Sequence, residues 1–456
     1  MIHRKAAAAQ ARYATHMWTH FPDLLARPVP RYTSYPTAAE FTAAYSATDQ
    51  ADALSRVAPS EAISLYVHIP FCREICWYCG CNTGRSNRGH RLTAYLDALR
   101  AEIWTVATAL GGRGVVKRIA FGGGSPNALA PVEFVRLLDT LLLAFRADRP
   151  VISIELDPRS FTPSWAEAIG ASGISRASLG VQTFDEDIQA AIGRVQPRAM
   201  IVDTVAALRA NGVSSINFDL MYGLPGQEMA GLEATLDETL ALAPERIALF
   251  GYAHVPHLLP RQRQIDAANL PGQSARFAMA QLGHERLVAA GYDAVGFDHF
   301  ALPHDSMARA QASGRLHRNF QGFTDDQAEV LIGLGATAIS QFPDLLVQNE
   351  KNSGRYRMRA VAGQLTGERG IRRNAEDRWR GRVIEDLLCG RPAIVTAAFG
   401  EPGLRDKLSP FLEQGLATLD GGVLMLTPEG RPYGRVIAAL FDRYRVGEGP
   451  RFSTAV

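Results

Sequence analysis

The sequence predicts an α/β protein built on a parallel, barrel-type sheet, and three features carry that expectation. Seven short, apolar, partly β-branched segments recur between residues 63 and 297. Helical patterns separate them, and alternation of this kind implies a parallel sheet. The residues able to do chemistry stand directly after the segments, as they do where an active site forms at the C-terminal ends of barrel strands.

The expected strands are Ile63–Ile69, Val116–Phe121, Val151–Leu156, Arg176–Val181, Ser215–Leu220, Arg246–Tyr252 and Asp293–Phe297. Their composition is that of strands buried on both faces. After the first, Leu92, Tyr95, Leu96, Leu99, Ile103 and Val106 recur near a period of 3.6 and predict one apolar helix stripe. Cys72 follows the first strand, Gly122–Ser125 the second, Asp157 the third, Gln182 the fourth and Tyr222 the fifth. Residues 256–272 read as an irregular connection rich in Arg and Gln. Past about residue 350 the rhythm stops. A basic stretch to Arg382 leads into Trp379–Leu388, Gly390–Ala398, Leu404–Leu412 and a hairpin-like Gly421–Leu426. These predict a small, mostly helical domain with a β-wing. The expected division is an N-terminal extension over 1–60, the barrel over 61–350 and the C-terminal domain over 351–456.

At 456 residues the chain can bury a large core in more than one domain. A net charge of +2 implies no broad field for nucleic acid or membrane. No apolar run approaches the roughly eighteen residues of a membrane span; the longest candidate, Leu137–Phe145, carries Asp139. Residues 1–22 hold Arg4, Lys5 and Arg12 and no acid, a faint likeness to a transit peptide. The plainer reading is a simple N-terminal extension, and few cysteines favour the cytoplasm.

Four of the five cysteines, Cys72, Cys76, Cys79 and Cys81, stand within ten residues; Cys389 is remote. Three thiolates at CxxxCxxC can hold three irons of a [4Fe–4S] cluster and leave the fourth iron open to a small chelating molecule. The alternatives are structural zinc, which usually draws on two separated pairs, and a redox disulfide. No second pair exists here.

The flanks add a resemblance. Tyr66-Val67-His68-Ile69-Pro70-Phe71-Cys72 ahead of CxxxCxxC resembles the signature of radical S-adenosylmethionine enzymes of the coproporphyrinogen oxidase group, and Cys81 narrows it to the oxygen-independent coproporphyrinogen III oxidases. Pro30–Ala38, Gly122-Gly123-Gly124-Ser125-Pro126, Ile154-Glu155-Leu156-Asp157-Pro158-Arg159, Gly180-Val181-Gln182, Asp219–Pro225, Tyr252–Pro256 and His317–Gly322 agree, in family order. The resemblance implies an incomplete barrel of six βα units with an open side, an arm at Arg31–Thr37 near the cavity, and a winged C-terminal domain.

It also implies roles. Cys72, Cys76 and Cys79 would be cluster ligands, with Cys81 close by but not a ligand. Tyr66, Glu155, Ile339 and the run containing Gly123 would meet the cluster-bound S-adenosylmethionine. Tyr78, Gly124, Ser125, Gln182, Arg194, Asp219 and Ala253 would hold a second one. Tyr78 and Ser125 stand where relatives often have Phe and Thr. Phe320 and Gln321 are expected to matter for activity. Read singly, Glu155, Asp219 and Arg194 suit structural ion pairs or surface charge equally well.

The implied reaction is oxidative decarboxylation of coproporphyrinogen III to protoporphyrinogen IX by a monomer, with a reducing electron donor protein, an electron acceptor and two S-adenosylmethionine molecules. Four substrate carboxylates ask for cations; Arg31, Arg261, Arg263 and Arg318 are the candidates. The rival readings are a haem-carrying paralogue, which typically lacks the arm and the fourth cysteine, and a radical enzyme acting on haem, which Phe320-Gln321 disfavours.

Overall fold

The computed structural model describes residues 18–86, 89–398, 401 and 403–445. Its centre is a twelve-stranded sheet. Six strands run parallel in chain order: β1 (Ala62–Ile69), β2 (Val115–Gly123), β3 (Val151–Leu156), β4 (Arg176–Gln182), β5 (Ser215–Tyr222) and β6 (Arg246–Gly251). On the β6 side the sheet ends in an antiparallel pair, β7 (Asp293–Val295) and β8 (His299–Ala301). A hairpin, β9 (His317–Asn319) and β10 (Gly322–Thr324), stands apart. On the β1 side lie β11 (Val330–Leu334), β12 (Ile339–Gln341), β13 (Leu345–Asn349) and β14 (Gly367–Arg372). β7 and β14 are the two outermost strands and do not pair with each other, so the curved sheet stays open.

The helices close one face. The stripe expected after β1 lies on α1 (Gly89–Leu110), where Tyr95, Leu96, Leu99, Ile103 and Val106 are buried. They form a core with Leu65, Val67 and Ile69, the outward residues of β1. α2 (Pro131–Ala144), α3 (Pro163–Ala171), α4 (Arg198–Ala210) and α5 (Met229–Leu242) follow β2, β3, β4 and β5. Pro at the first turn starts α2 and α3, where its missing N–H is not needed. Among the described residues no helix is long and apolar enough to cross a membrane.

Four expectations are corrected. The strands are apolar on one face only: Ser64, Arg118, Arg176, Ser215 and Arg246 point into the barrel and line an interior cavity. Successive strand residues face opposite sides, so the lumen is polar while the helix side stays apolar. Asp293–Phe297 does not extend the parallel set; its first residues form the antiparallel edge. The seventh parallel strand is β11, which pairs with β1 from Ile63↔Val330 to Val67↔Leu334. Gly390–Ala398 is not a helix; Ala393–Ile394 is a strand of the wing, paired with Val423–Leu426, which also pairs Ala417–Asp420.

The sheet runs on past residue 350, where the expected boundary stood, because β14 pairs with β13 and bridges back to Thr42 of the arm. Glu102 of α1 fixes this region: it is fully enclosed and accepts bonds from Asn349, Thr366, Tyr356 and the Gly335 N–H.

Candidate active site

A cavity of about 470 Å³ opens at the C-terminal ends of the parallel strands. The sheet brings thirteen of the expected residues to its wall: Cys72, Cys76, Cys79, Cys81, Tyr78, Gly123, Gly124, Ser125, Glu155, Gln182, Arg194, Asp219 and Ala253. The interior cavity below, about 350 Å³, shares Glu155, Ser178, Asp219 and Phe250 with it and adds Gln321. At its floor Arg118 and Arg176 meet Asp325 at 2.7 and 3.0 Å, and Arg246 meets Asp305 at 2.8 Å, closing the barrel with paired charge.

The cysteine loop leaves β1 and is pinned at both ends. Gly84 N donates to Pro70 O and Ser86 N to Cys72 O, each at 2.9 Å. Trp77 N donates to Ile192 O at 3.0 Å, and Gln262 Nε2 reaches Tyr78 O at 2.9 Å. Cys76 Sγ accepts from Arg159 Nη2 and Arg194 Nη1, both at 3.2 Å. The same two arginines grip Asp157, at 2.7 and 3.3 Å. Arg194 also donates to Gly180 O at 3.0 Å, so it is a buried brace and not a surface charge. Cys81 N donates to Cys79 Sγ at 3.4 Å. Hydrogen bonds from Cys81 pull the Cys79 thiol down to about 6, while burial pushes Cys72 up to about 12. Cys81 and Glu155 open onto the cavity and are enclosed by protein on their other sides.

The glycine run also makes room within the fold. A Cβ on Gly122 would fall 2.7 Å from the Glu155 carboxyl, one on Gly123 2.3 Å from the His68 ring, and one on Gly124 2.5 Å from Phe71 O. The missing side chains make room for β1, for the loop and for Glu155. Gly123, at φ +107, turns its N–H onto Glu155 Oε2 at 3.1 Å. Burial, with Asp219 adding, raises the Glu155 carboxyl to about 7 against that N–H. Asp219 accepts from Ser178 Oγ at 3.0 Å and Asn217 Nδ2 at 2.8 Å. Gln182 sits at φ +67 beside a β-bulge, strain of the kind concentrated at functional sites. The Ser125 hydroxyl donates to Asn127. Tyr66 OH meets His68 Nδ1 at 3.1 Å, on the inward face of β1.

Three residues stand elsewhere. Phe320 and Gln321 form the β9–β10 turn, and only Gln321 lines the interior cavity. Ile339 opens β12, two strands from β1, with its backbone against Gly333. Among the candidate cations, Arg31 lines the cavity, Arg261 holds Thr83 at 3.1 Å, and Arg263 is exposed. Arg318 is half-buried over Phe323, 4.4 Å from its centroid, and donates to the Arg31 and Tyr32 carbonyls. The single-residue reading missed Arg159 and Gln262. Arg159 lay within the quoted Glu155–Arg159 stretch; Gln262 had no local signal.

An open parallel barrel with a three-thiol loop at its mouth defines a radical S-adenosylmethionine protein, and the sequence model of the Radical SAM superfamily matches residues 66–239. The chain is 41% identical over 428 residues to an oxygen-independent coproporphyrinogen III oxidase of Paracoccus denitrificans (91% of this chain, 94% of that one). It is 42% identical over 425 residues to one of Bradyrhizobium diazoefficiens (91% and 94%). The solved coproporphyrinogen III oxidase of Escherichia coli, described as a radical SAM enzyme, superposes with a TM-score of 0.87 at 34% identity, over 94% of this chain and 100% of that one. The chain belongs to the oxygen-independent coproporphyrinogen III oxidase family.

Its cofactors are a [4Fe–4S] cluster and S-adenosylmethionine, and the residues fit both. Among the described residues no three such side chains converge on a single metal ion. The loop's thiols instead line a shared cavity, one donor available to each of three irons. Glu155 accepts one backbone N–H and keeps acceptor capacity for an ammonium.

Proposed function

We infer that this protein carries out oxidative decarboxylation of coproporphyrinogen III to protoporphyrinogen IX without oxygen, in haem synthesis. The observation that carries this reading is that Arg31 of the N-terminal arm and the cysteine loop line one cavity. A radical source and a cation for an acidic tetrapyrrole thus stand together. The relatives' names point the same way.

Cys72, Cys76 and Cys79 hold the cluster, and Glu155 with Gly123 orients the methionine ammonium; Tyr66 and Ile339 support that molecule. Bound together, the cluster and S-adenosylmethionine would supply a 5′-deoxyadenosyl radical able to take a hydrogen atom from a propionate β-carbon. Carbon dioxide then leaves, a vinyl group forms and one electron passes to an acceptor; two propionates react in turn. Arg159 and Arg194 hold Cys76 in place. Tyr78, Gly124, Ser125, Gln182, Arg194, Asp219 and Ala253 border a second S-adenosylmethionine. Ser125 Oγ donates to Asn127 and keeps its lone pairs to accept a bond, while its N–H and carbonyl are committed to Phe71 and Ala128. Gln321 sets the far wall of the lumen, with Phe320 beside it in the β9–β10 turn. The protein acts as a cytoplasmic monomer, fed by a reducing donor protein and drained by an electron acceptor.

The test is anaerobic reconstitution followed by product analysis. Formation of protoporphyrinogen IX from coproporphyrinogen III supports the reading. Tight haem binding without decarboxylation, in protein that cleaves S-adenosylmethionine, supports the haem-carrier alternative instead.

A further inference from the structure

A third, small cavity of about 50 Å³ adjoins the active cavity and shares Arg31 and Gly251 with it. Three parts of the chain build it. Arg31 comes from the arm, Arg276 from the helix Gln273–Ala289, and Arg435 from the helix Gly434–Ala438 near the C-terminus. Backbone carbonyls fix each guanidinium. Arg31 Nη2 donates to Gly251 O at 3.0 Å, Arg276 Nη2 to Tyr252 O at 2.7 Å, and Arg435 Nη2 to Val29 O at 2.8 Å.

A carbonyl orients a guanidinium without cancelling its charge. The contrast with the barrel floor is direct, since Arg118, Arg176 and Arg246 each meet a carboxylate there. Asp298 is the one carboxylate on the small cavity's wall; His299 Nδ1 engages it at 2.6 Å, and its charge offsets part of that of Arg31 and Arg435 but forms no ion pair with either. Arg31 and Arg276 make no ion pair among the described residues, and Arg276 Nε is buried with no partner. Burial lowers the Arg276 guanidinium and takes Arg435 down to about 9, the direction expected of cations crowded together out of water. An anion would relieve this, and a planar carboxylate matches the fork geometry of a guanidinium. The space holds a carboxylate and not a macrocycle.

We propose that this pocket binds a carboxylate of the substrate, with Arg276, Arg31 and Arg435 holding a propionate that does not react while the ring lies in the active cavity. The proposal rests on the reading of the substrate as coproporphyrinogen III. It makes the arm and the C-terminal segment joint builders of the substrate site.

The test uses the reconstituted full chain. Binding of coproporphyrin III and of its uncharged tetramethyl ester is followed by fluorescence, alongside kcat and KM for coproporphyrinogen III. Arg276→Gln should weaken coproporphyrin III binding and raise KM by roughly tenfold or more, the effect of losing a charge-assisted bond. It should lower kcat far less and leave the affinity for the ester alone, and Arg276→Lys should recover part of the loss. Arg31→Gln, a change in the arm and not in a core helix, carries the same expectation should Arg276→Gln fail to fold. Affinity and KM within twofold of wild type in the folded variants would overturn the pocket alone, as would an equal loss for acid and ester. A wild type that makes no vinyl product would overturn the functional reading and the pocket with it.

Discussion

Glu155 faces the cavity with its carboxyl raised to about 7, so near neutral pH it is only partly ionised before its partner binds. A bond to the methionine ammonium needs the carboxylate. Because burial has moved this acid upward, its ionised fraction grows as pH rises through about 7. Affinity for S-adenosylmethionine should therefore increase from pH 6 to 7.5, below the range of about 7.7–8.0 where an α-amino group loses its proton. Equilibrium dialysis of the reconstituted protein should show this rise, and Glu155→Gln should bind more weakly with a flat profile. A wild-type profile as flat as the variant's would make Glu155 structural. At the loop, Cys72→Ser, Cys76→Ser and Cys79→Ser should each lose cluster iron, whereas Cys81→Ser should keep it and lose most turnover. Iron analysis beside product assay separates the two groups. The cysteines were legible because their roles follow from local spacing. Gln262 was not, because it reaches Tyr78 across 184 positions through a contact that only the folded chain creates. The glycine run was legible as a place but not as a cause, since its missing side chains accommodate Glu155, His68 and Phe71.

The parallel strands β1 to β6 and the α1 stripe could be read from apolar patterning because they pack against each other over long stretches. What escaped was the lumen. Arg118, Arg176 and Arg246 look like charges at strand starts until Asp325 and Asp305 arrive from distant turns to pair them. The strand β11 escaped too, since no crossover helix joins β11, β12 and β13; they turn back antiparallel. Glu102 ties that late region to α1 by accepting from four groups of residues 335–366. Removing the acceptor would strand the Tyr356 and Thr366 hydroxyls and the Gly335 N–H in the core. Each such group costs about 1–3 kcal/mol, so Glu102→Ala should destabilise by about 3 kcal/mol or more. Denaturant melting of the apo protein measures this; a loss under 1 kcal/mol would show that the network contributes little.

Across the whole molecule, the arm is held by the C-terminal segment and closes over the barrel's mouth. Tyr433 OH donates to Thr19 O at 2.7 Å, Tyr32 OH to Asp442 at 2.9 Å, and Arg445 to Pro28 O at 2.8 Å. The cysteine loop belongs to the barrel and takes none of these contacts. Deletion of residues 1–37 should thus leave the cluster's absorption intact and lower kcat/KM by roughly tenfold or more, since it removes Arg31 and its charge-assisted bond to substrate. Loss of cluster and turnover together would show the arm to be a folding element. The family resemblance reached this arm from the residues Arg31–Thr37, but its partners near residue 440 carried no pattern of their own. The central claim is that a radical drawn from S-adenosylmethionine takes hydrogen from the propionate β-carbon inside this cavity. The most direct measurement uses coproporphyrinogen III deuterated at those β-carbons, with mass analysis of the 5′-deoxyadenosine formed. Deuterium in the 5′-deoxyadenosine, accompanied by vinyl products, is the predicted result; vinyl products accompanied by unlabelled 5′-deoxyadenosine would contradict it.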